Sequence, residues 1–259
     1  MHPRSVLRLA GVVALGILGG CVLRKMDYSA ARDAQIQVAD AKVLKLDVGA
    51  GYLRVEGLPE TRDILISGVA HAASAEALAA IQLATRRVAD TIFVSGIIPA
   101  SDREAGVPPA LDLTLQLPSN LSLQVIDSTG VSVFRNVGAL RIVHGDGGLD
   151  ADSVSGNVDI TDGGGDMVVG NVTGNVRIVD GAGSIYLSDI AGSVVVPQDG
   201  PGEIQFVRVS GDVTVGTKRS GEVAARGIGG SLAITANGSG SIEYRDVKGR
   251  VSIPAERYH

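Results

Sequence analysis

Val176-Arg-Ile-Val-Asp-Gly-Ala-Gly-Ser-Ile-Tyr-Leu-Ser-Asp-Ile-Ala-Gly-Ser193 and Val194-Val-Val-Pro-Gln-Asp-Gly-Pro-Gly-Glu-Ile-Gln-Phe-Val-Arg-Val-Ser-Gly-Asp212 are consecutive rows of one repeat, 18 and 19 residues long. Laid one over the other, they align Val176 with Val194, Ile178 with Val196 and Ile185 with Ile204. Working outward, the first apolar column reads Leu121, Leu140, Val158, Val176, Val194, Val213, Leu232, Val251. Two residues on, it reads Leu123, Ile142, Ile160, Ile178, Val196, Val215, Ile234, Ile253. A second track in each row gives Leu149, Met167, Ile185, Ile204, Val223, Ile242, with further apolar residues two and five positions later. Apolar residues two apart mark strands with one buried face, so each row holds two short strands.

Glycines separate the strands at steps of 8–10 residues, as in Gly156, Gly165, Gly174, Gly183, Gly192 and Gly202. Such steps are too short for a crossover helix and suit tight corners. Small polar residues follow several of them (Asn157, Asn175, Ser193, Asp212, Ser231). A fixed period of this kind predicts coils stacked in one dimension, with parallel strands roughly 4.8 Å apart. The expected fold is all-β: a right-handed parallel β-helix (β-solenoid) with 18–19-residue coils, the hand following from the general rule for parallel crossovers. A sandwich also shows short, evenly spaced strands, but its strands seldom repeat one another in phase.

Leu111-Asp-Leu-Thr-Leu-Gln-Leu-Pro118, then Leu121-Ser-Leu-Gln-Val125, then repeated Gly-x-Val-x-Ile units resemble the bacterial adhesin-like β-helix proteins of the DUF4097 type. The resemblance runs from about Ala41 to the C-terminus. It implies a right-handed β-helix and an envelope location, and brings no enzymatic chemistry with it.

Composition agrees with a thin solenoid. Aromatics are 3%, tryptophan is absent and glycine reaches 35 of 259 residues, because a narrow interior takes Val, Ile and Leu but few large rings. The net charge is −5 and no basic cluster stands out, which argues against a nucleic-acid partner.

Met1–Gly20 carries Arg4 and Arg8, an apolar run from Leu9 to Leu18, and the ending Leu18-Gly-Gly-Cys21. That is the pattern of a secretory signal, and the run is short for a membrane span. Its ending resembles a bacterial lipobox, which implies diacylglycerol on the Cys21 thiol and cleavage before it. Cys21 is the one cysteine of the chain. Two or more acyl chains anchor stably where one is marginal, so the membrane lipid is the first expected partner. Val22, rather than Asp, after the cysteine favours the outer membrane.

The expected organisation is a signal peptide at 1–20, a flexible tether at 21–40, a β-rich cap with the first rungs at 41–118, and the repeat at 119–259. Within the cap, Lys42–Gly51, Tyr52–Gly57, Asp63–Ala70 and Ala110–Leu117 read as strands. Ser74–Ala80 is a short helix N-capped by Ser74, and Ile81–Val88 with Thr91–Ile97 a hairpin across Ala89-Asp90.

Chemistry is sparse. No cofactor motif, nucleophile elbow or cysteine-rich metal pattern occurs, and His71 and His144 lie in unrelated contexts. Asp146, Asp150, Asp152, Asp159, Asp162 and Asp166 crowd three rows. Carboxylates on adjacent rungs are able to meet the roughly 5–9.5 Å spacing of glycoside hydrolysis, so a polysaccharide hydrolase or lyase is the alternative function. Asp162 and Asp180 share one offset, with Asp199 and Asn237 close to it, where Asx turns sit; turn and solubility roles are therefore expected, with no metal site. Val168, Tyr186 and Val207, and on the other strand Val143, Val179, Val195 and Pro197, should face outward. Adjacent exposed apolar residues mark a contact surface unless the N-terminal segments cover it. The leading expectation is a lipid-anchored, non-catalytic envelope surface, structural or adhesin-like, for a protein or glycan partner.

Overall fold

The computed structural model describes residues 28–98 and 108–254; the expected signal and Cys21 lie outside them. The chain forms a β-solenoid of about 7 turns with coils of about 19 residues. In the regular part the strands alternate between two sheets. Sheet 2 takes β11 (Leu140–Asp146), β13 (Val158–Gly164), β15 (Val176–Asp180), β17 (Val194–Pro201), β19 (Val213–Ser220), β21 (Leu232–Asn237) and β23 (Val251–Ser252). Sheet 1 takes β12 (Leu149–Val154), β14 (Met167–Val172), β16 (Ile185–Ile190), β18 (Ile204–Val209), β20 (Val223–Ile228) and β22 (Ile242–Val247). All these pairings are parallel, and they keep register except between β15 and β17, where a bulge shifts the ladder by one residue: Val158 lies on Val176, and Met167 on Ile185.

Sheet 1 explains an irregular spacing in the repeat. Its buried residues fall at offsets of zero, two and five, as in Ile185, Leu187 and Ile190, whereas a plain strand buries every second residue. The parity is restored by one left-handed residue in each coil: Asn136, Ser153, Asn171, Asp189, Arg208, Gly227 and Asp246, with φ between 53 and 71°. Asn and Asp tolerate that conformation best among residues with side chains, and the ladder skips the position, pairing Ser188 with Val207 and then Ile190 with Val209.

The corners are stacked as well. Gly130, Gly147, Gly165, Gly183, Gly202, Gly221 and Gly240 form one column with φ from 101 to 147°. In the 140s the residue in phase is Gly147, not its neighbour Gly148. At the other corner Asn157 Oδ1 accepts from the Asn175 N–H, and Asn175 Oδ1 from the Ser193 N–H, each at 2.9 Å. Ser193, Asp212 and Ser231 continue this ladder, so the small polar residues after the glycines join coil to coil.

One row boundary differs from the sequence reading. Leu140 pairs with Leu123, and Ile142 with Val125. The lowest interval is therefore two residues shorter than the one drawn from Leu121. Leu121 is buried at the corner, where its carbonyl accepts from the Gly138 N–H.

The N-terminal part is woven into the stack. β3 (Val43–Ala50) and β4 (Leu53–Leu58) make one coil. The chain then leaves through β5 (Asp63–Ala72), α1 (Ala75–Ala80), β6 (Gln82–Val88), β7 (Thr91–Ile97) and β8 (Ala110–Pro118). It returns as β9 (Ser122–Thr129) and β10 (Ser132–Val137), which lie on the other side of β3 and β4. The coil 43–58 is thus held between β7–β8 and β9–β10. The expected hairpin is present as β6–β7, with Ala89 at φ 51°. Ser74 Oγ accepts from the Ala77 N–H, the expected N-cap.

The tether expectation fails for its second half. β1 (Tyr28–Ala31) and β2 (Ala34–Gln37) pair antiparallel with β5. Arg32 between them donates to the carbonyls of Leu78 and Ile81 at the end of α1, at 2.9 and 2.8 Å. Mixed charge suggested solvation there, but the alternation Ala34-Gln-Ile-Gln37 supplies an edge strand that protects β5.

Inward and outward positions give a direct test. Val176 is 1% exposed, between Val158 and Val194; Arg177 points out and lies 3.5 Å from Asp159. Val176→Asp should cost about 4 kcal/mol or more, from lost burial and an unpaired buried charge. Arg177→Asp should cost about 1 kcal/mol at most. Equal losses in thermal unfolding followed by circular dichroism would refute the assignment.

Candidate functional site

The outer faces carry the residues expected to bind. Val168 and Tyr186 are stacked neighbours, 45% and 38% exposed. Val207 is half-buried and belongs to a different column, with Ser188 and Arg226. The sheet 1 patch is therefore two residues, not three. On sheet 2, Val143 and Val195 are exposed but not adjacent, Val179 is half-buried, and Pro197 sits where the ladder shifts register. Val143 instead stacks on the exposed Ile126, a pair hidden in the sequence by the shorter first interval. Among the described residues the N-terminal strands extend the stack at its end and cover neither face.

The six aspartates are dispersed. Asp150 forms a forked ion pair with Arg135, and Asp152 accepts from Asn171 Nδ2 at 2.6 Å, both on the outside of sheet 1. Asp159 lies outside sheet 2 between Arg141 and Arg177. Asp166 accepts from the Ser184 N–H at a corner, Asp146 is exposed at the end of β11, and Asp162 is buried. Of this set Asp150 and Asp152 share one outer strand face, where each is engaged by a neighbouring side chain.

The concentrated chemistry lies inside. Asp127, His144, Asp162, Asp180, Asp199 and Lys218 are all buried, and form one column through the interior face of sheet 2 that Asn237 continues. This corrects the turn and solubility reading of Asp162, Asp180 and Asp199, and the reading of His144 as unconnected, whereas half-buried Asn237 keeps a turn contact through Nδ2 to the Gly240 carbonyl. Parity held the signal: Val158, Ile160 and Asp162 are two apart, as are Leu140, Ile142 and His144. In the 19-residue rows the bulge at Pro197 adds one residue before Asp199, so the column keeps its place while the count slips.

Ser132, itself fully buried on β10, donates from Oγ to Asp127 Oδ2 at 2.5 Å. His144 Nδ1 lies 2.6 Å from Asp162 Oδ1, and its Nε2 is 3.9 Å from Asp127 Oδ2. Burial lowers the histidine's affinity for a proton, but the hydrogen bond and charge of Asp162, helped by Asp127, outweigh it and raise its pKa. Burial raises Asp127 against the opposing pull of Ser132 and His144. Asp180 is pushed up to about 8, by burial first and then by the adjoining Asp199 and Asp162. Neither Asp180 oxygen has a hydrogen-bonding partner, nor do Asp162 Oδ2 and Asp199 Oδ1. Three stacked carboxyls in a buried interior cannot all be charged, so near neutral pH Asp180 holds a proton.

Lys218 Nζ donates to Asp199 Oδ2 at 2.5 Å and to the Gly202 carbonyl at 2.7 Å. Among the described residues no cluster of three or more His, Cys, Asp or Glu is placed to hold a metal ion, and no helix is long and apolar enough to cross a membrane.

No family model matches the chain, and no curated protein matches it. Among solved structures it is similar to a protein provisionally assigned to cell adhesion from Clostridium sporogenes ATCC 15579, at 12% identity and a TM-score of 0.38, covering 87% of this chain and 99% of that one. It is also similar to a provisionally assigned adhesin (BF0245) from Bacteroides fragilis NCTC 9343, at 14% identity and a TM-score of 0.39, covering 85% and 98%. A third such adhesin, from Parabacteroides distasonis ATCC 8503, shares 12% identity with a TM-score of 0.35, covering 82% and 97%.

Proposed function

We propose that the protein is a non-catalytic binding or structural surface of the bacterial cell envelope, held to the outer membrane by acylated Cys21. The observation that carries this reading is the outside of the solenoid: two flat ladders with ion-paired carboxylates and stacked exposed apolar pairs, Val168 with Tyr186 and Ile126 with Val143. Rigid parallel ladders suit a repetitive or extended partner, protein or glycan, and the anchor comes from the lipobox-like Leu18-Gly-Gly-Cys21.

In cells fed a labelled fatty acid, Cys21→Ser should lose the label and leave the membrane fraction. Retention without label would reject the lipid anchor. With the anchored protein crosslinked in envelopes, Val168→Glu with Tyr186→Glu should deplete the captured partner at unchanged melting temperature. Capture at the wild-type level would reject the sheet 1 patch as the contact surface.

A further inference from the structure

Lys218 and Asp199 meet with no exposed side-chain surface on either. The surrounding interior is built from residues such as Val196, Val215, Ile204 and Phe206. A buried ion pair gains little net stability after its desolvation. In a dry site the proton moves readily between the partners, and a desolvated lysine becomes a nucleophile. A third group completes the arrangement. Asp180, 1% exposed and without a hydrogen-bonding partner for either oxygen, follows the Val179–Gln198 pair on the ladder and so faces Asp199 on the adjacent coil, whose Oδ1 is likewise unpartnered. Lys218 approaches Asp199 Oδ2, which leaves Oδ1 for Asp180.

We propose that Lys218 and Asp199 are a self-modification site, condensing to an isopeptide bond between adjacent coils with Asp180 as the proton carrier. Transfer of one Nζ proton to Asp199 makes both partners neutral. The Nζ lone pair attacks Cγ while Asp180 protonates the carboxyl oxygen and then takes a proton from the nitrogen; it gives that proton to one hydroxyl, which departs as water, and recovers the proton of the other hydroxyl as the amide carbonyl forms. The Nζ–Cγ bond forms and one Cγ–O bond breaks. Of the three ammonium protons, one stays on the amide nitrogen and two leave in the water molecule, and Asp180 ends as it began. The reaction needs no oxidant or co-substrate, removes two buried charges, and leaves an amide in an interior with little water to reverse it. Asn237, the neighbour of Lys218 on the other coil, is the less suited acceptor, because its Nδ2 is turned to the Gly240 carbonyl.

The test is a tryptic digest of the purified, denatured full chain, read by mass spectrometry. Peptides 178–208 and 209–219 should appear joined and lighter by one water than their sum, with Lys218 protected from trypsin. Lys218→Arg keeps the charge and should abolish the joined peptide; Asp180→Asn should fold normally by circular dichroism and lose it too. Recovery of the two wild-type peptides separately, with cleavage after Lys218, overturns the proposal whether or not either variant folds. Undiminished joining in Asp180→Asn overturns the role of Asp180. A link to Asn237, lighter by one ammonia, overturns the choice of Asp199.

Discussion

Gly183→Val should yield little or no folded protein. Gly183 has φ +136°, and a Cβ there would lie 1.9 Å from the Gly165 carbonyl oxygen and 2.5 Å from its carbon. Its own carbonyl oxygen would be 1.7 Å from a Cβ on Gly202, one coil further on. A side chain must therefore force adjacent coils apart at the corner, where the Gly183 N–H donates to the Pro201 carbonyl at 2.9 Å. Backbone strain, the clash and the broken ladder together put the cost above about 5 kcal/mol. Gly148→Ala is the matched control, since its nearest atoms are 3.9 Å away, and it should stay within about 1 kcal/mol of wild type. Soluble yield and thermal unfolding give the comparison; similar melting of the two would mean that the glycine column does not set the coil spacing.

Stability should fall as the pH rises from about 4 to about 8. Asp180 has an ordinary carboxylate value of 3.8 when unfolded and about 8 when folded. Its contribution is fully present below the unfolded value, declines through the window between the two, and is gone above the folded one. The expected slope is about 1.4 kcal/mol per pH unit for one proton. The groups facing Asp180 on either side are Asp162 and Asp199, with His144 and Lys218 beyond them. His144, whose pKa is also raised, adds loss in the same direction above about pH 6.5. Burial is the largest cause for Asp180 and acts whether Asp199 is a free carboxylate or an amide. Asp180→Asn should flatten this part of the slope and exceed wild-type stability at about pH 9 by about 2 kcal/mol or more. Denaturation midpoints across the range measure it, and a slope unchanged in Asp180→Asn would remove Asp180 as its source.

The solenoid was legible because stacking makes each coil copy the apolar phase of its neighbour, so Val158, Val176 and Val194 predict one another. The interior polar column lies in the same phase, yet its local sequence reads as turns. An aspartate directly before a glycine, as Asp162 and Asp180 are, has the local chemistry of an Asx turn; only its parity with Ile160 and Ile178 places it inside. The β1–β2 segment is not legible locally because charged residues such as Arg32 and Asp33 suggest solvation, while their partners are distant: the Leu78 and Ile81 carbonyls for Arg32, and the Gly68 N–H for Asp33 Oδ1 at 3.2 Å. The insertion of coil 43–58 between later segments has no sequence signal, since any coil with the right phase can stack on any other.

That insertion also decides how the molecule answers a pull. In a solenoid stacked in chain order each coil touches only its neighbours, and a tug at either terminus peels turns away singly. The C-terminal end here fits that description, because β22 is an edge strand and β23 pairs through Val251 and Ser252 alone. Drawn from Tyr28, the chain first loads β1 and β2 along β5, and then meets a coil clasped by β7, β8, β9 and β10. Freeing it means shearing four ladders together, so the fibre-like end unravels while the end nearest Cys21 bears tension as a clamp.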